Sequence, residues 1–308
     1  MKSSRLIAFF LVVFGVIWLT RINPQVSGAT KAEQIISAFV TDNQLGVEKN
    51  TPEYLEFMKG ILLGDYPELT GENSEYIHGQ KELDLILEYA TGEMSTLFKD
   101  YPVEPGIQEA IPEVNQLDNA VSSESLLAYS RTSAINYAYS WWNGQNSSYP
   151  DFGSSDCTNF ISQTMRAGGF SIYGSGDGCR DESTQTEWYV ESNSPPPWCL
   201  GSNRNWEWST AWSVVYDFRR YFTYHHSYAT ELGWTTSYAT AKDLLSPGDI
   251  VQLQQLQNGN WVSYHNMLVT AENATDLLLT YHSTDTRDKR LRDIPAGATQ
   301  RYVLVRFP

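Results

Sequence analysis

The apolar residues of this 308-residue chain change their period once, and that change limits the folds open to it. Up to about residue 224 they recur three and four positions apart, the spacing of helices with one buried face. Further on they alternate, the spacing of half-buried strands, and turn residues separate the strands closely enough for antiparallel pairing. Helices first and an antiparallel sheet second define an α+β domain.

The helical part divides in two. Residues 31–41, 52–63 and 76–99 read as amphipathic helices. Thr51 caps the second, with Pro52 at its first turn; Leu83, Ile86, Leu87, Ala90, Met94 and Leu97 mark the buried face of the third. The pattern lapses after Asp100 into prolines and scattered acids, so 30–99 reads as an acidic helical region and 100–124 as a linker. A second domain, 125–308, opens with a helix from Ser125 to Trp142 whose inner stripe is Ala134, Tyr137, Ala138 and Trp141. A further helix is expected from Thr210 to Tyr224. Strands follow at Ile250–Gln254, Trp261–Ala271, Asp276–His282 and Tyr302–Phe307, with Asn258-Gly259 as a hairpin turn.

Charge marks the same boundary. Of the net −15, residues 30–124 hold 19 acids against 5 lysines, while 125–308 are nearly balanced. Neither part offers the positive footprint that nucleic acid requires, so nucleic acid is not an expected partner. Residues 1–29 differ again: Lys2 and Arg5 precede an apolar run from Leu6 to Leu19, and Ser27-Gly28-Ala29 has the small-x-small form of a cleavage site. We expect a signal peptide there, with an uncleaved N-terminal anchor as the alternative because Arg21 stands between the run and that site. In either case the rest of the chain is exported, and a membrane is a partner only for the uncleaved form.

Three cysteines suit export with one left over. Cys179 and Cys199 flank a Gly/Ser/Pro-rich stretch, and a bridge closing that loop would stabilise by about 3 kcal/mol. Counting alone leaves the other pairings open. The expected pair leaves Cys157 free. Cys157 follows Gly153-Ser154-Ser155-Asp156 and begins a run in which Phe160, Ile161, Thr164 and Met165 share its helical face, closed by Gly168-Gly169. With Ser155 or Asp156 as N-cap, the thiol would stand in the first turn, where unpaired N–H groups and the helix dipole lower its pKa. A buried structural cysteine is the competing reading.

Of five histidines, His78 reads as a surface residue, and the adjacent His225 and His226 lack metal-ligand spacing. His265 starts one strand and His282 ends the next, so an antiparallel turn brings both to one end of the sheet. A free cysteine at a helix start with two histidines suggests nucleophilic catalysis. His265 would take the thiol proton and His282 would orient it, with Asp285 and Asn266 in reserve. The Cys157 N–H and the Tyr149 hydroxyl are the candidate oxyanion donors. No metal or organic cofactor is needed for this chemistry. Trp188, Trp198, Trp206 and Trp208 either line a groove or brace the long loop around the expected bridge, while Trp212 falls on a buried helix stripe.

The run from Tyr137 to Asn143, Asn146, Tyr149 to Phe152, Asp156-Cys157-Thr158-Asn159-Phe160-Ile161-Ser162-Gln163 and Ala167-Gly168-Gly169 resembles the putative amidase domain of bacterial extracellular proteins. Ser209 to Ser213, Pro247 to Gln252, His265 to Thr270 and Tyr281 to Asp285 continue the likeness in order, across about 129–306. That family is similar to the NlpC-type and CHAP cysteine peptidases. The resemblance implies a papain-like α+β fold, Cys157 as nucleophile, His265 as base and His282 as third polar residue. It also implies amide bonds of cell-wall peptides, the peptidoglycan stem or cross-bridge, as substrate. Asn266 departs from the family, which more often has Ser beside the base. Residues 30–120 lie outside the resemblance.

Overall fold

The computed structural model describes residues 28–71, 73–94, 129–178, 184–192 and 205–308. The apolar leader, the whole of the expected linker, the expected helix start at Ser125, Trp198 and both Cys179 and Cys199 lie outside the described residues.

Four helices form the N-terminal unit: α1 (Gly28–Asp42), α2 (Pro52–Leu62), α3 (Pro67–Thr70) and α4 (Gln80–Met94). Thr51 Oγ1 accepts from the Tyr54 N–H at 3.2 Å, so the expected cap forms. The apolar stripes meet in one core of Ile36, Phe39, Phe57, Met58, Ile61, Ile86 and Leu87, all buried. The short α3 went unforeseen because four residues are too few to show a period.

Next come α5 (Arg131–Trp141), capped by Ser130, and α6 (Cys157–Ala167). Arg131 anchors α5 to the sheet by donating to Asp249 Oδ1 at 2.7 Å and to the Pro247 carbonyl at 2.7 Å. The strands β1 (Val190–Ser192) and β2 (Trp206–Trp208) pair as a small antiparallel hairpin. The single helix expected from Thr210 to Tyr224 is broken. α7 (Thr210–Ser213) and α8 (Val215–Arg220) meet at Val214, which is extended (φ −109°, ψ 128°), and a π-helical turn covers Tyr221–His225. A β-branched Val favours that extended conformation, and the break leaves the Trp212 carbonyl free to accept from Ser162 Oγ at 2.8 Å.

The main sheet joins β3 (Thr230–Thr235), β4 (Ile250–Gln257), β5 (Asn260–Glu272), β6 (Leu277–Tyr281), β7 (Thr286–Arg290) and β8 (Gln300–Arg306). Their order is β3-β8-β4-β5-β6-β7, antiparallel throughout. Asn258 and Gly259 are both left-handed (φ 49° and 81°), as a two-residue hairpin between twisted strands demands. The helix α9 (Tyr238–Leu244) packs beside β3 and β6.

Alternation divides the sheet into two faces. Ile250, Leu268, Val305 and Phe307 meet Phe160, Ile161, Met165 and Trp212 of the helices. Val251, Leu253, Met267, Val269, Leu279, Tyr302 and Leu304 form the opposite core, and Leu63, one residue past α2, is fully buried among them. The N-terminal unit is therefore set into the second face. Gln300 Nε2 donates to the Leu62 carbonyl at 2.8 Å, Lys289 bonds Asp65 at 2.5 Å, and Tyr264 touches both cores.

Candidate active site

Asp156 stands at the N-cap of α6, but its carboxylate caps nothing. Instead Oδ1 accepts from the Phe152 N–H at 3.2 Å and Asn159 Nδ2 at 2.7 Å, and Oδ2 accepts from His282 Nδ1 at 2.6 Å. The other ring nitrogen of His282 reaches the Trp141 carbonyl at 2.7 Å. A carbonyl and a carboxylate only accept, so both ring nitrogens carry protons and His282 is a cation paired with Asp156. Its ring also stacks on Phe160, centroids 3.9 Å apart. Burial works against that charge, but the Asp156 bond and the Trp141 carbonyl prevail and hold the imidazole pKa above its ordinary value.

This corrects one expectation. Both nitrogens of His282 are committed to α5 and α6, so neither orients His265. The reason lies in the strand register. Leu268 pairs with Thr280, and extending that register sets Asn266 opposite His282 and His265 opposite Ser283. Successive side chains alternate between faces, so the two histidines share an end of the sheet and not a face. His282 lies with Phe160 on the helical side. His265 lies with Tyr281 on the other, rings edge to face at 4.8 Å.

Asn266 is also engaged elsewhere. Its Nδ2 donates to Thr158 Oγ1 at 3.1 Å, and its Oδ1 accepts from Gln252 Nε2 at 2.8 Å. That tie fastens β5 to the first turn of α6, so its side chain does not hold His265 either. Its backbone does something more direct. Val269 exchanges backbone bonds with Gly248 and Asp249 on the β4 side, at 2.8 and 2.9 Å. By alternation Leu268 and Asn266 point their N–H groups the other way, towards β6. β6 ends at Tyr281, and the Asn266 N–H meets the Cys157 sulfur instead.

Cys157 is 7% exposed, and its sulfur lies 3.7 Å from Thr158 Oγ1. Burial pushes the thiol pKa up; the Asn266 N–H, the Thr158 hydroxyl and the Lys59 charge oppose that push without reversing it. The lowering expected at a helix start is therefore absent, because desolvation of a thiolate outweighs these donors. Burial, together with the charges of Lys59 and Lys289, pushes His265 down to about 3. It is a neutral imidazole at ordinary pH, and its Nε2 is buried without a hydrogen-bond partner among the described residues. Among the described residues no hydrogen bond joins that ring to the thiol.

Lys59, on α2, donates to the Ser154 carbonyl at 2.6 Å and the Ser283 carbonyl at 3.4 Å. Ser154 precedes the nucleophile candidate and Ser283 follows His282. The sequence offered no sign of this: a lysine between Met58 and Gly60 reads as a solvated helix face. The part played by Asp156 was visible only as a capping residue.

A cleft of about 470 Å³ opens beside this group, lined by Gln145, Gly153, Ser154, His282, Ser283, Thr284 and Asp285. Asp285 thus lines the cleft, and its charge adds to the rise of His282. The half-buried Tyr149 stacks on Trp212 at 5.7 Å. Trp188 and Trp212 are core residues, giving their indole N–H groups to Ser162 Oγ at 3.0 Å and Asn159 Oδ1 at 2.7 Å. Trp206 and Trp208 are half-buried on β2. His226 binds the Thr186 carbonyl at 2.9 Å and stacks on Tyr228.

Residues 128–305 match the protein family described as "Putative amidase domain". A Bacillus subtilis (strain 168) protein described as "Uncharacterized protein YhbB" is 26% identical over 164 residues. That alignment spans 53% of this chain and 43% of the relative, less than half of its length. No solved structure matches this chain.

Proposed function

The chain belongs to the putative amidase domain family, and from that premise we propose that it hydrolyses an amide bond through a Cys157 acyl-enzyme. The observation that carries the reading is the Cys157 thiol at the first residue of α6, with the Asn266 N–H directed at its sulfur. The helix start and that donor both favour negative charge on sulfur once substrate has entered.

In this reading His265, neutral and with Nε2 unclaimed, takes the thiol proton as sulfur attacks the carbonyl carbon. Negative charge then develops on the carbonyl oxygen beside the Cys157 N–H, with the Tyr149 hydroxyl as second donor. Collapse breaks the C–N bond, and His265 returns its proton to the leaving amine. Water next attacks the thioester; His265 accepts one of its protons and restores it to sulfur as the carboxylic acid leaves, which then ionises in water. The resting pair is unjoined, and resting sites often tighten only around substrate. His282 is paired with Asp156 and holds the α6 start in place; it does not exchange protons with substrate.

The helices-then-sheet order and the family membership support a papain-like fold of the NlpC and CHAP type. Its substrate class is the peptide amide of peptidoglycan. The apolar leader supports export, with the expected Cys179–Cys199 bridge formed outside the cell. Digestion of purified muropeptides, read by mass spectrometry, tests the proposal. Wild type should release a new amine and carboxylate pair, and Cys157→Ala should release none; equal release by both would end the reading.

The protonated, buried thiol favours one alternative, a module that binds cell-wall peptide without turnover. That reading predicts undiminished binding by Cys157→Ala and alkylation of the cysteine only above the ordinary thiol value of about 8.5.

A further inference from the structure

Lys59 comes from outside the residues that match the family, yet it reaches both segments that build the site. Its side chain is 12% exposed, and its closest carboxylate, Glu56, is 3.5 Å away and about half exposed. The ammonium is therefore spent chiefly on two backbone carbonyls. An ammonium on a flexible stem can aim separate donors at two acceptors, which suits this geometry.

α2 is also not placed as a detachable cover. Leu63 is fully buried in the sheet core, and the buried Gln300 amide donates both to the Leu62 carbonyl at 2.8 Å and to the Pro295 carbonyl at 2.5 Å. Gly64 is left-handed (φ 68°), and a Cβ there would stand 1.8 Å from the Asp293 carbonyl oxygen. Removing this segment would open a hole in the core and take one acceptor from a buried amide. These contacts hold Lys59 at the site.

We infer that Lys59 is a positioning residue: one ammonium, bonded to the Ser154 and Ser283 carbonyls, locks together the segments bearing Cys157 and His282, so that the N-terminal helices complete the active unit. What is being positioned rests on the cysteine-amidase reading above. The charged and titratable groups facing the thiol are Lys59 from α2, Asp156 from its own turn with His282 behind it, and Tyr264 from β5. The Lys289–Asp65 pair stands nearer His265. Of these, Lys59 is the cation that favours thiolate directly.

The test is iodoacetamide labelling of Cys157 across pH in the folded full-length protein, with peptide mapping, for wild type, Lys59→Met and Lys59→Arg. Lys59→Met should raise the labelling midpoint by about one pH unit, the low end for losing a nearby opposite charge. Lys59→Arg, which keeps charge and donors, should return most of that shift. A midpoint unchanged in Lys59→Met would overturn the inference. So would faster labelling of that variant at every pH, which would make α2 a cover over the thiol. If Lys59→Met does not fold, judged by urea unfolding, Lys59→Gln serves as the neutral variant under the same criteria. The shift is read against wild type whether or not wild type digests muropeptides, so this inference and the amidase reading fail separately.

Discussion

At the scale of single residues the two histidines of the site are opposite devices. His282 holds a raised pKa in the fold, so the folded state binds more protons than the unfolded state above the ordinary histidine value of about 6.5. Its stabilisation is complete below that value and fades as pH rises through the folded pKa. His265 is held down to about 3; between there and about 6.5 the unfolded chain binds the extra proton, and stability falls as pH drops. Urea midpoints across pH 4–9 should therefore peak near neutrality. His282→Gln should flatten the alkaline limb and His265→Gln the acid limb; limbs unaffected by either change would contradict these assignments. Asp156→Ala leaves a buried cation without its partner and should cost about 3–5 kcal/mol, the usual loss when one member of a buried pair is removed. Chemical denaturation at pH 6 measures it.

At the scale of elements, the site depends on where β6 stops. The Asn266 N–H is available to sulfur because the strand that would have bonded it ends at Tyr281. Ser283 (φ 90°) and Asp285 (φ 37°) turn the chain away there. The end of α2 is equally exacting. Gly64→Ala would demand both a left-handed alanine and room where the Asp293 carbonyl stands. It should destabilise by more than the roughly 1 kcal/mol of the conformational effect alone. Differential scanning calorimetry of that variant checks the claim, and an unchanged Tm would refute it.

At the scale of the whole molecule, the N-terminal helices and the sheet share a core. Leu63→Ala removes a fully buried side chain from the sheet side and should cost about 2–5 kcal/mol. Because that residue belongs to the sheet core, the described parts should unfold in one transition. Chain beginning at residue 125 should lack cooperative unfolding by circular dichroism and fluorescence. A truncated chain that melted as sharply as the full one would show two independent units.

Much of this was legible in the residues themselves. The 3.6 period of Phe57, Met58 and Ile61 and the alternation through β5 are local patterns, so the helices and central strands could be read directly. So could the Asn258-Gly259 turn and Cys157 at a helix start. The polar edge strand β7 (Thr-Arg-Asp-Lys-Arg) carries no apolar alternation, and β3 has a bulge between Glu231 and Gly233, so neither could be read. The site divides in the same way. Sequence determined which residue types could do chemistry and that two histidines would share one end of a sheet. Tertiary structure decided the rest: register put them on opposite faces, and burial raised a thiol pKa that the helix start alone would lower. It also brought Lys59 across more than ninety residues to the carbonyl of Ser154. Periodicity is a property of neighbours along the chain, whereas register, desolvation and long-range charge exist only once the chain has closed on itself.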